Sequence, residues 1–73
     1  MQVLEFDGKK LKALRKERKL TQTEVAAQVG KEFSHIAHYE NGTAKPPADL
    51  VLTFIEMFGV THRELCADQP LSE

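Results

Sequence analysis

The sequence predicts a compact all-α domain of five short helices, and three observations carry that prediction. Thr21 and Glu24 form a Thr-x-x-Glu capping box, in which hydroxyl and carboxylate satisfy two backbone N–H groups that a helix start leaves unpaired. Val51, Phe54, Ile55 and Phe58 recur at i, i+3, i+4 and i+7, the spacing of a buried helical face. No proline interrupts residues 1–45, so nothing forbids helix there.

Taken in order, Val3, Leu4 and Phe6 make a short apolar lead that can staple the chain entry to the core. Asp7 is a good N-cap for a first helix that begins at Gly8 or Lys9 and ends around Lys19. Leu11, Leu14 and Arg15 share one of its faces, and the cations of its last turn suit the negative end of the helix dipole. A second helix starts near Gln22, carries Val25, Ala26 and Val29 as one stripe, and stops at Gly30, a residue that takes the left-handed conformation freely. Small Ala26 lets the next helix come close. After a turn at Gly30 and Lys31, Ile36 and Tyr39 form the apolar side of the third helix, which Asn41-Gly42 ends.

Thr43-Ala44-Lys45-Pro46-Pro47 is a loop, and Pro47 can open the fourth helix, where its missing N–H is no loss. Leu50, Leu52 and Met57 lie off the main stripe, which suggests a wide core contact or a partner subunit. Gly59 stops that helix. A second Thr-x-x-Glu box at Thr61 and Glu64 predicts a short fifth helix through about Ala67, and the Pro70-containing remainder is expected to fray. The expected organisation is one domain over residues 1–67 with a flexible tail at 68–73.

A chain of 73 residues buries only about 60% of its unfolded surface, so pairing with a second copy is physically attractive. The single Cys66 excludes an internal disulfide and is compatible with a reducing compartment. No apolar run has membrane-spanning length, and residues 1–7 lack the basic start of a secretion signal. A cytoplasmic protein with no membrane partner is therefore expected. There is no phosphate loop and no activated serine or cysteine signature, and a domain this small has little room for a deep pocket, so neither an enzyme nor a cofactor is expected.

Net charge is −1, but its distribution is uneven. Residues 9–19 hold Lys9, Lys10, Lys12, Arg15, Lys16, Arg18 and Lys19 against Glu17 alone. Residues 46–73 hold Asp49, Glu56, Glu64, Asp68 and Glu73 against Arg63 alone. Only the basic end can profit from counterion release at a phosphate backbone, although a solvated helix face is the commoner fate of such a run. The pairs His35 with His38 and His62 with Cys66 have helical ligand spacing, but no further ligand cluster completes a tetrahedral site, and no metal is expected.

Leu20-Thr21-Gln22, Glu24-Val25-Ala26, Val29-Gly30, Ile36, Glu40-Asn41-Gly42 and Lys45-Pro46 together resemble the lambda-repressor and Cro type of helix-turn-helix, the xenobiotic-response-element family. The resemblance runs from about Leu11 to Leu65 and implies a lambda-repressor-like DNA-binding domain with the motif at helices two and three. It implies that Gln22, Asn41 and Lys45 meet phosphates, and that Glu32, Phe33, Ser34, Ala37 and His38 face the bases. It also pairs Arg15 with Glu40 as a structural ion pair between the first and third helices. The implied partner is double-stranded DNA, bound as a homodimer through helix five and exposed apolar residues of helix four, with the reading helices about 34 Å apart on an inverted repeat. Repression of transcription is the typical outcome.

The reading helix departs from the usual pattern. Between Phe33 and Tyr39 it has no Arg, Lys, Gln or Asn, the side chains that most often read guanine and adenine. Glu32 can accept from a cytosine amino group, and Phe33 either packs on thymine methyls or belongs to the core. Specificity here rests on apolar contact and DNA shape, or the surface is turned toward a protein, as in a toxin-binding antitoxin.

Overall fold

The computed structural model describes residues 2–70. Its elements are β1 (Gln2–Phe6), α1 (Gly8–Glu17), α2 (Gln22–Val29), α3 (Phe33–Asn41), α4 (Ala48–Phe58), a 3-10 turn at His62–Glu64, and β2 (Cys66–Pro70). The Asp7 carboxylate accepts the Lys9 N–H at 3.0 Å and opens α1. Lys19, in the left-handed region at φ 57°, ends it, and the Leu20 N–H closes back on the Arg15 carbonyl at 3.0 Å. A lysine in that conformation is strained, which marks a helix stop set by packing rather than by a glycine.

The capping box of α2 is closed on both sides. The Glu24 N–H donates to Thr21 Oγ1 at 3.0 Å, and the Thr21 N–H donates to Glu24 Oε1 at 2.8 Å. At the other end Gly30 adopts φ 71°, and the Lys31 N–H reaches the Ala26 carbonyl at 2.9 Å, so the chain reverses into α3 within a short turn. Ala26 is buried in the core cluster, where a larger side chain would overpack its neighbours.

Leu11, Val25, Ile36, Phe54 and Leu65 are fully enclosed, one or more from α1, α2, α3, α4 and the C-terminal segment. Phe54 is the centre of this core, with the rings of Phe6 and Phe58 at 6.4 and 6.5 Å between centroids. Burying such a ring stabilises the fold by about 1.5–3 kcal/mol. On α4 the buried face is Leu50, Val51, Phe54 and Phe58; Ile55 and Met57 are half-buried and Leu52 is exposed. Pro47 caps α4 from outside rather than serving as its first residue.

Two expectations need correction. Among the described residues there are four helices and no fifth: Thr61 makes no side-chain cap, and a 3-10 turn forms over His62–Glu64. The chain leaves the helical path there because its backbone pairs with β1 instead: the Leu65 carbonyl accepts from the Asp7 N–H at 2.9 Å and Cys66 lies opposite Phe6. The expected tail is also partly structured. Cys66–Pro70 pairs antiparallel with β1, from Phe6↔Cys66 to Gln2↔Pro70, so residues 68–70 are strand and residues 71–73 lie outside the described residues. The apolar lead is thus a strand, and dimerisation through a fifth helix has no helix to use.

Candidate nucleic-acid interface

α3 is two-faced by its sequence. Ile36, Tyr39 and Glu40 fall at i, i+3 and i+4 and are buried, which turns the other side outward. That side carries Phe33, Ser34, Ala37, His38 and Asn41, with Phe33, His38 and Asn41 exposed and the small Ser34 and Ala37 partly covered. Phe33 is 58% exposed, so it is a surface residue and not part of the core. Glu32, just before α3, is exposed beside the exposed Lys31, and its backbone N–H donates to His35 Nδ1 at 3.4 Å. His38 is steadied by Thr43 after the helix, with Nδ1 and Oγ1 2.8 Å apart. The Thr43 contact had no signal in the sequence beyond a hydroxyl five positions on.

Behind this face lies a buried carboxylate. Glu40 Oε2 accepts from Arg15 Nε at 2.6 Å and Oε1 accepts from a terminal guanidinium nitrogen at 3.1 Å, a two-pronged pair whose side chains are 11% and 2% exposed. Arg15 also donates to the Leu20 carbonyl at 2.9 Å. Gln22 completes the set by donating one amide N–H to Glu40 Oε1 at 3.1 Å. Gln22 therefore ties the start of α2 to the end of α3, and only its second N–H and the N-terminus of α2 are left for an outside anion. Lys45, in the loop after α3, is exposed and lies 3.3 Å from Glu5 Oε1. Such an exposed pair contributes about 0–1 kcal/mol, so a phosphate can take the lysine from it.

The basic first helix is less available than its composition suggests. Lys10 Nζ donates to the carbonyls of Arg63 and Cys66, both at 2.9 Å. Arg18 donates to the Phe58 carbonyl at 2.8 Å and stands 5.7 Å from that ring's centre. With Arg15 engaged by Glu40, three of the seven cations at residues 9–19 are committed to the fold. The Phe58 carbonyl is a suitable partner for Arg18 because it lies at the end of α4, which carries the negative pole.

His62 Nδ1 and Cys66 Sγ are 3.9 Å apart, but among the described residues no cluster of three His, Cys, Asp or Glu could hold a metal. Burial pushes the Cys66 thiol above its ordinary 9.0, opposed by nearby Lys10 and slightly aided by Asp7. The unfolded chain gives up that proton near 9.0 and the folded chain only at higher pH, so through this window the unfolded state binds fewer protons. Stability is expected to fall as pH rises past that value, and less steeply in Cys66→Ala. Denaturant titrations on either side of it check both.

A helix-turn-helix family model matches residues 11–65 of the chain. Antitoxin PezA of Streptococcus pneumoniae serotype 4 is 33% identical over 64 residues, which cover 88% of this chain and 40% of PezA. The chain thus spans about two fifths of that relative's length. Among solved structures, the restriction-modification controller protein C.AhdI from Aeromonas hydrophila aligns with a TM-score of 0.71 at 24% identity, over 78% of this chain and 83% of its own. The SOS-response transcriptional repressor LexA from Eubacterium rectale aligns with a TM-score of 0.77 at 21% identity, over 90% of this chain and 70% of its own. At such identities the two structures speak for the fold. No helix among the described residues is long and apolar enough to cross a membrane. With two capped helices joined at Gly30, an outward third helix and a family match over most of its length, this chain belongs to the helix-turn-helix family, in the lambda-repressor and Cro group of DNA-binding regulators.

Proposed function

We propose that the chain is a sequence-specific regulator of transcription, a cytoplasmic repressor that binds an inverted-repeat operator as a homodimer. The observation that carries this reading is the outward face of α3, set on a helix whose opposite side is locked into the core. α3 enters the major groove with Glu32, Phe33, Ser34, Ala37 and His38 toward the bases, while Gln22, Asn41 and Lys45 meet phosphates. Since α3 offers no bidentate reader between Phe33 and Tyr39, discrimination comes from apolar contact with thymine methyls and from the ease of deforming the site. Bound at the operator, the dimer represses by occupying the promoter.

The test is selection of sites from random duplex DNA, followed by affinity measurements across a salt series. Lys45 from each protomer gives a slope of log K on log salt near −1.8, or about tenfold weaker binding for a fourfold rise in salt. Lys45→Ala is expected to flatten that slope by about one unit per protomer with little change in sequence preference. A selected site bound equally well at all salt concentrations, by wild type and variant alike, would count against the phosphate role.

A second reading is supported by the likeness to antitoxin PezA and by exposed Phe33 and Leu52, at 58% and 54%. In it the same scaffold binds a protein, such as a toxin. Salt-insensitive binding to a protein, with no enriched DNA site, would favour it.

A further inference from the structure

The two edges of the small sheet differ. The Asp7 N–H donates to the Leu65 carbonyl at 2.9 Å, one step beyond the partners Phe6↔Cys66. Bonded and non-bonded pairs alternate in an antiparallel ladder, so Glu5↔Ala67 and Val3↔Gln69 exchange bonds within the sheet. Gln2, Leu4 and Phe6 then turn their backbone groups to one outer edge, and Cys66, Asp68 and Pro70 turn theirs to the other. The β2 edge is blunted. Lys10 Nζ takes the Cys66 carbonyl at 2.9 Å, and Pro70 has no N–H to offer. The β1 edge has no such protection: among the described residues no backbone group pairs with it from outside, and Gln2–Phe6 contains neither proline nor lysine.

We propose that this edge takes β1 of a second copy of the chain, antiparallel about a two-fold axis through Leu4. The inference rests on the homodimer reading and gives it a surface. In this register Leu4 faces Leu4 of the partner subunit, and Gln2 and Phe6 face each other across the axis, so every outward backbone group of β1 is used. Glu5 stands opposite Val3 of the partner subunit, so the strand's one charge does not meet itself. The neighbouring register toward Phe6 sets Glu5 against Glu5 of the partner subunit, and the one toward Gln2 leaves Phe6 unpaired. A two-stranded ribbon is marginal in water, and the pairing makes a four-stranded sheet.

Leu4→Pro tests it, because the Leu4 N–H faces outward and is not used in pairing with β2. Sedimentation equilibrium is expected to show a rise in the dimer Kd of about tenfold or more, with a cooperative thermal transition retained. Amide hydrogen exchange on the wild type gives a second measurement that needs no variant. The Leu4 amide should gain protection with protein concentration in step with dimer formation, whereas the Glu5 amide, bonded inside the protomer, should be protected throughout. A wild-type dimer whose Leu4 amide exchanges as freely as in the monomer overturns the proposal and leaves the homodimer standing. A chain that binds its operator as one protomer overturns both. If Leu4→Pro does not fold, the exchange result decides alone.

Discussion

Gly8→Ala is expected to lower the melting temperature by about 15 °C. A Cβ at Gly8 would lie 2.1 Å from the Tyr39 carbonyl oxygen and 2.7 Å from that of Glu40, and both obstacles are backbone. Neither can swing aside as a side chain would. Helix propensity argues the other way, because alanine in place of glycine gains about 0.5–1 kcal/mol. Overpacking against immobile atoms costs about 1–3 kcal/mol and more where nothing yields, so the clash wins. Thermal denaturation followed by circular dichroism decides the sign. A variant that melts higher than wild type would mean that α1 does not begin against the end of α3.

Arg15→Ala should be comparably damaging. It leaves the Glu40 carboxylate, 2% exposed, with the Gln22 amide as its one partner among the described residues. Removing one member of a buried pair costs about 3–5 kcal/mol, a large share of the roughly 5–15 kcal/mol that stabilises an ordinary domain. Arg15→Lys should be intermediate, because an ammonium cannot reproduce the two-pronged contact. The double replacement Arg15→Met with Glu40→Leu separates causes: it strands no charge, and is expected to recover much of the loss. Urea denaturation of the four proteins measures this, and an unchanged midpoint for Arg15→Ala would remove the pair from the list of what holds α1 to α3.

What was legible in the sequence was mostly local. The Thr21 and Glu24 box is a contact across three residues and formed as its spacing implied, and the Gly30 stop needs only a left-handed residue. The same local pattern at Thr61 and Glu64 misled, because Leu65 and Cys66 have a distant alternative in β1. Nothing near residue 66 announces that partner: the strands lie at opposite ends of the described chain, and their pairing is decided by the core that brings them together. Lys10 and Arg18 were unreadable for a like reason, since the carbonyls they reach are more than a helix away. Gly8 looked like a mere helix start, and only the approach of α3 shows why a side chain is forbidden there. At the interface, Ile36 and Tyr39 marked the inward side of α3, the outward residues were implied by the family resemblance alone, and Phe33 needed the structure to be placed at the surface.

The bond from Gln22 to Glu40 bears on how the surface meets a ligand. Since Arg15 and Gln22 converge on one carboxylate, the angle between α2 and α3 is fixed in the free protein. Contact with a duplex then involves little ordering of the polypeptide. Calorimetry should accordingly find a heat-capacity change matching the area covered at the contact, without the excess that marks a segment folding as it binds.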